Sequence, residues 1–192
     1  MQNLFGYKII IPADPNQTDR VIRYLAKTYG NFLVTMGRSP IPILLMERGN
    51  PLFGPPYEFR YGKADLVRDG KDTAILTTGG MLYRAVQAHE QLKEKEVHVR
   101  VINVSCLNEL DREAVLDATK TGVILTYEDH HIRTGLGSLI ANFLADQGVG
   151  IRFRKLEVTH YGSSGKPDEL YRMQGLDVGS LVQAVMDEIG KG

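Results

Sequence analysis

Glu128-Asp129-His130-His131 is the most polar cluster in the chain, and it stands where the apolar run from Gly122 to Tyr127 gives out. A carboxylate beside an imidazole can move protons or hold a metal. The spacing matches no zinc template, however, and neighbouring side chains on an extended chain point apart. The cluster therefore reads as hydrogen bonding at a surface or an interface. Gly135-Leu136-Gly137 follows it and opens a helical pattern. That backbone could approach a phosphate, or could let a helix pack close to a strand, and the residues do not choose between the two. Thr77-Thr78-Gly79-Gly80 poses the same question at another strand–helix turn, where the plain reading is a connector.

Other residues carry weaker signals. Arg38 follows the strand-like Phe32–Met36, and its planar fork suits a phosphate; a surface ion pair is the ordinary alternative. The turn His160-Tyr161-Gly162-Ser163-Ser164-Gly165 could bind an anion or merely connect. His89 falls on an apolar helical stripe and reads as a satisfied, half-buried histidine. Cys106 has no activating base nearby in sequence and reads as inert. No nucleophile–base–orienter set can be assembled from these residues, so none is assigned a catalytic, cofactor-binding or metal-ligating role.

The elements that would position these residues alternate. Ala74-Ile75-Leu76, the Gly79-Gly80 turn, the stripe Leu82, Ala85, Val86, His89 and Leu92, and then Val97 to Ile102 spell strand, helix, strand. Further strands are expected at Gly122–Glu128 and Ile151–Thr159, the latter a sheet edge because charges alternate along it. Helices are expected at Asp111–Thr119, from Ser138 to Gly148, at Pro167–Met173 and at Val178–Ile189, with a turn from Asp129 to Gly137. The fold class is α/β: a mostly parallel open sheet, helices on both faces and one antiparallel edge strand. Leu66-Val67-Arg68, the turn Asp69-Gly70 and Thr73 to Leu76 suggest that this edge forms as a hairpin.

Before it lies a fragment of a second α/β domain. Tyr7–Ile11 and Phe32–Met36 read as strands around a helix that Asp14 caps and Pro15 opens. Residues 1–45 are too few to bury a core unaided, since folded units below about 40 to 60 residues rarely do. They must dock on the rest of the chain or on a second copy, and a chain that begins inside a sheet looks truncated. From Pro40 to Lys71 prolines and glycines dominate, which reads as an extended linker over a surface.

Totals narrow the function classes. Acidic and basic residues balance at 23 each in 192 residues, so no overall field favours nucleic acid or an anionic membrane. A single cysteine excludes an internal disulfide and fits a reducing compartment. No apolar run approaches the ~20 residues of a membrane span, and no signal peptide is visible, so the expected location is cytoplasmic.

Taken together, these stretches resemble the C-terminal part of transketolase, especially the split form in which that half is a separate polypeptide. The likeness rests on Ile9-Ile10-Ile11-Pro12-Ala13-Asp14, on Val34 to Pro42, on Gly62-Lys63-Ala64 and on Leu66 to Asp72. It continues in Ile75 to Gly79, in Thr126-Tyr127-Glu128-Asp129-His130 with Gly135-Leu136-Gly137-Ser138, and in Gly162-Ser163-Ser164-Gly165 with Glu169-Leu170. Asn108-Glu109 departs from the Lys-Pro common in the family. Deoxyxylulose phosphate synthase and the beta subunits of 2-oxo acid dehydrogenases share the architecture and are the alternatives, beside a stand-alone phosphate- or nucleotide-binding or dimerisation module.

The resemblance implies the tail of a pyrimidine-binding domain at 1–45, a linker at 46–71 and the transketolase C-terminal domain at 72–192. It implies an enzyme that transfers a two-carbon ketol unit between sugar phosphates, with thiamin diphosphate and a divalent metal (Mg) bound outside this chain. The isolated chain would be inactive, and its partners would be a second copy and the N-terminal transketolase part. Arg38 would hold the substrate phosphate, whereas Glu128, His130, Gly135 and Gly137 would support the loop and interface.

Overall fold

A computed structural model describes residues 5–190. The chain opens with β1 (Tyr7–Ile10), α1 (Pro15–Leu25) and β2 (Asn31–Val34), and the two strands pair in parallel. As expected, Asp14 caps α1, accepting from the backbone N–H of Gln17 at 2.7 Å, and proline occupies the first turn. The helix ends at Leu25, a few residues short of Gly30.

The five-stranded sheet has the order β3-β5-β4-β6-β7, with β3 (Asp65–Arg68), β4 (Thr73–Thr77), β5 (Val99–Asn103), β6 (Val123–His131) and β7 (Arg152–Val158). Only β3 runs antiparallel, so the mostly parallel sheet with one antiparallel edge holds. The hairpin does not. β3 pairs with β5, and the chain crosses the start of β5 to reach β4. Gly70 lies against the backbone of His98 and Val99, where a Cβ would have no room. Asp72 fixes the crossing: its N–H donates to His98 O at 2.9 Å and its carboxylate accepts from His98 N at 2.7 Å.

Alternation along the strands divides the core. Ile75, Leu125, Tyr127, Val99 and Val101 face α2 (Met81–Lys93) and α6 (Val178–Ile189). Ala74, Leu76, Ile102 and Ile124 face α3 (Arg112–Ala118) and α4 (Leu136–Asp146). Each fully buried aliphatic side chain is worth about 1.5–3 kcal/mol relative to exposure. A short α5 (Pro167–Met173) precedes α6.

The N-terminal strands dock on this sheet. Ile9 and Ile11 join the Leu76 face, while Ile10 turns into a third cluster with Val21, Phe59 and Cys106. Ile11 N–H donates to Ser105 O and Leu107 N–H to Ile9 O, at 2.8 and 3.2 Å. Asn108 takes the N–H of Ile9 and the hydroxyl of Tyr61 on its oxygen and donates to Tyr7 O. Behind them Asp65, raised by burial above its ordinary carboxylate range, accepts from Gln17, Asn103 and Tyr57. The proline-rich stretch is no mere surface linker either. Leu44, Phe53 and Phe59 are buried, and Asp14 accepts from the N–H of Leu44 at 2.9 Å. Proline breaks strands and helices, but it does not stop a chain from burying aromatic and aliphatic groups.

Candidate functional site

Strand order creates a switch point. From β4 the chain leaves to β5 on one side, and β6 then lies on the other side of β4. Ligands of open α/β sheets lie in the crevice outside the carboxyl ends of strands that diverge this way. Here a cavity of about 870 Å³ occupies that place, between Gly79 and Gly80 after β4 and Asp129 and His130 at the end of β6. The residues after β1 and β2 close it from the other side, so the strand ends of both sheets meet there.

Arg38 and Ser39 line the cavity from the loop after β2, and Arg38 is exposed. Arg84, one turn into α2, reaches Asp168 at 2.5 Å, and its guanidinium carbon lies 4.1 Å from the Tyr171 ring centre. Tyr171 in turn donates to Asp129 at 3.1 Å. Sequence reasoning missed Arg84, Lys166 and Tyr171, because each reads as an ordinary exposed residue of a helix or a turn. Only the approach of α5 to α2 makes them a wall.

Behind His130 lies a closed carboxylate site. β6 does not turn at Asp129 but runs to His131, with a register shift against β7 between Tyr127 and His131. Glu128 and His130 thus stand two residues apart on one strand, on the same side. Glu128 is 0% exposed, so it is not a surface group. Its Oε2 lies 2.7 Å from His130 Nδ1, and its Oε1 accepts the N–H of Gly137 at 2.8 Å. Burial pushes this carboxyl upward, but the His130 hydrogen bond and the N–H groups of Leu136 and Gly137 outweigh that and hold it below its ordinary range.

The partner carboxyl is Glu157 on β7, 3% exposed, whose Oε1 accepts from Thr126 Oγ1 at 3.0 Å. Burial, then the charge of Glu128, pushes it up to about 8. Two ionised carboxylates are costly in a dry site, and Glu157 is the one held protonated near neutral pH. His130 is pulled down by burial, yet Glu128 and Asp129 raise it overall. Glu157 was legible only as the sole acid among the basic residues of its strand.

Gly135 and Gly137 settle into this site as packing residues. A Cβ on Gly135 would overlap the Glu128 carboxylate, and one on Gly137 would overlap Glu157 and Thr126. The start of α4 therefore faces an anion that the chain itself supplies.

The remaining candidates stay apart. His89 is buried, with Nδ1 2.8 Å from Val99 O, and burial lowers it. Cys106 is buried, and burial pushes its thiol up to about 11, which keeps it unreactive. The turn from His160 to Gly165 is exposed. Among the described residues no three His, Cys, Asp or Glu side chains cluster so as to hold a metal, and no helix is long and apolar enough to cross a membrane.

Comparison with known proteins gives a consistent outcome. Residues 62–181 match the family model "Transketolase, C-terminal domain". The chain is 31% identical over 184 residues to a putative transketolase C-terminal section of Methanocaldococcus jannaschii, covering 95% of this chain and 56% of that protein. It is 29% identical over 190 residues to a subunit of the apulose-4-phosphate transketolase of Phocaeicola vulgatus, covering 97% and 57%. Mouse transketolase matches at 29% over 188 residues, 96% of this chain but 29% of the enzyme. Among solved structures, a split gene transketolase described as an inactive beta4 tetramer superposes with a TM-score of 0.89 at 27% identity, covering 99% of this chain and 60% of that one. The chain thus spans little more than half the length of the subunit-sized relatives it matches.

Proposed function

Because the chain belongs to the transketolase C-terminal domain family, we propose that it works as the C-terminal portion of a transketolase, moving a two-carbon ketol unit between sugar phosphates. The observation that carries this reading is the near-complete superposition on a split gene transketolase chain, with a relative named as one subunit of a transketolase beside it. In this reading residues 1–45 complete a pyrimidine-binding domain, residues 46–71 link, and residues 72–192 form the C-terminal domain. The sheet already includes β3, so the linker's last residues belong structurally with the C-terminal domain.

The enzyme's thiamin diphosphate and its metal bind to residues outside this chain. When bound, that cofactor would supply the carbanion chemistry of ketol transfer. The buried carboxylates here are a poor fit for it: Glu128 is committed to His130 and to the start of α4, and Glu157 is buried against Thr126. This chain's share is the cavity, in which Arg38 takes the phosphate of the sugar substrate through its planar fork. His130, held by Glu128, shapes the cavity wall, and the glycine loop sets the start of α4. Assembly with a second copy and with the N-terminal transketolase part completes the active centre.

The test is reconstitution. The chain alone should show neither ketol transfer nor calorimetric binding of thiamin diphosphate with magnesium. Mixed with the N-terminal transketolase part it should show both. Cofactor binding by the chain alone would refute this division of labour, and a mixture that stays inert would refute the subunit assignment.

A further inference from the structure

α5 stands between two hollows. Its start, from Lys166 to Glu169, and Tyr171 line the cavity of about 870 Å³. Leu170, Met173 and Gln174 line a second cavity of about 310 Å³, together with Val158 at the end of β7. Pro167 and Tyr171 border both. None of the helix's seven residues is buried, and every residue from Thr159 to Glu169 is exposed. A helix this short does not persist by itself in water, where roughly 12 to 15 residues are needed. Its hold on the rest of the fold therefore decides whether it stays wound.

That hold is concentrated at one side chain. Tyr171 is half-buried and packs against the core on the α2 and α6 side of the sheet. Its hydroxyl donates to Asp129 at 3.1 Å, and the Arg84 guanidinium carbon lies 4.1 Å from its ring centre. Arg84 also reaches Asp168, but that side chain is 85% exposed, and an exposed ion pair contributes little. The two ends of α5 differ. Beyond Gly175, at φ +68°, Leu176 is buried and its carbonyl accepts the Tyr127 hydroxyl, which makes a fixed pivot. At the other end the exposed residues from Thr159 to Lys166 lead in from β7, and Gln174 reaches them at His160 O, 3.4 Å away.

We propose that α5 is a strap latched by Tyr171, which releases from Asp129 and Arg84, pivots at Gly175 and unwinds, opening the wall between the two cavities. The open state joins the two hollows, so the latch sets how large a molecule the site admits. This reading stands on the contacts of α5 and does not depend on the role proposed for Arg38 or on the cofactor.

Amide hydrogen exchange on the full chain, read by NMR, tests it. The amides of Leu170 and Gln174, which donate to Lys166 O and Leu170 O, report on α5, and those of α6 report on the packed core. In the wild type the α5 amides should exchange at least ~100-fold faster than those of α6. Mild urea should leave their rate unchanged, because local release exposes little surface. Tyr171→Phe keeps the ring and removes the donor, and it should speed α5 exchange roughly three- to tenfold with α6 unchanged. Arg84→Met should speed it about two- to fivefold, and Asp168→Asn by less than about twofold. If the wild-type α5 amides exchange together with those of α6, the helix belongs to the core and the strap is refuted. If α5 opens by itself but Tyr171→Phe leaves its rate as in the wild type, the proposal fails at its latch.

Discussion

Two glycine turns open helices at neighbouring strand ends, and they behave oppositely. The turn after β4 leads into α2 with no side-chain cap and borders the open cavity. The turn before α4 also lacks a cap from its own residue, but Glu128 fills the space and takes the N–H of Gly137. Gly80 is kept small by the tip of Ile41, a flexible aliphatic end, whereas Gly137 is kept small by two buried polar side chains. The potential for binding an anion is the same at both helix starts. What differs is whether the fold has already supplied the anion.

That contrast can be broken by mutation. The largest effect is expected for Glu128→Ala, which strands the buried N–H of Gly137 and takes from His130 its carboxylate partner. A loss of about 3–4 kcal/mol should appear in urea unfolding. Gly137→Ala comes next, because its methyl must displace Glu157 and Thr126, at a cost of about 2–3 kcal/mol in the same measurement. If Gly137→Ala proves as harmless as an alanine at Gly80, the claim of a closed carboxylate site is wrong.

A smaller, pH-dependent effect should separate Glu157 from its neighbours. Its carboxyl is raised in the folded chain to about 8 by burial and by Glu128, so the fold binds a proton that the unfolded chain has released. That contribution is complete below the ordinary glutamate range and is lost as pH rises through about 8. His130 is also raised, and its contribution fades in the same direction as the imidazole deprotonates. Glu128, held low, acts oppositely, and its contribution disappears only in acid. The melting temperature should therefore fall by a few degrees between near-neutral pH and about pH 9. Glu157→Gln should flatten that slope, and a slope unchanged in the variant would remove the Glu157 proton from the account.

The smallest effect sharpens the other half of the contrast. Gly80→Ala meets only the end of Ile41, so stability should stay within about 1 kcal/mol of wild type by thermal unfolding. A larger loss would mean that the start of α2 is as tightly enclosed as that of α4.

Local features were legible in the sequence wherever a local cause produced them. Asp14 and Pro15 start α1 because the cap and the fixed φ act within one turn; Asp111, read only as the first residue of a helix, proves to cap α3, accepting from Ala114 N. The apolar stripes of α2 and α6 gave their buried faces, and the charges of β7 marked an edge. Two expectations failed for a shared reason. Asp69-Gly70 has hairpin chemistry, but β5 inserts itself between the two strands, and Gly70 serves to let the chain pass. Asp129 to Gly137 has turn chemistry, but pairing to β7 carries β6 on to His131. In each case a strand distant in the chain overrode the local preference.

The candidate site divides along the same line. Arg38, Glu128, His130 and the glycines could be named from residue type and position, but their roles could not. That Glu128 is sealed against Glu157, that the start of α4 is already neutralised, and that Arg38 shares a cavity with Lys166 depend on which strands lie side by side. The order of residues settles capping and periodicity, since those forces act over one or two turns. The packed sheet settles which charges meet, since burial and distance between remote segments set the energy of a carboxylate or a cation far more strongly than its neighbours in the chain do.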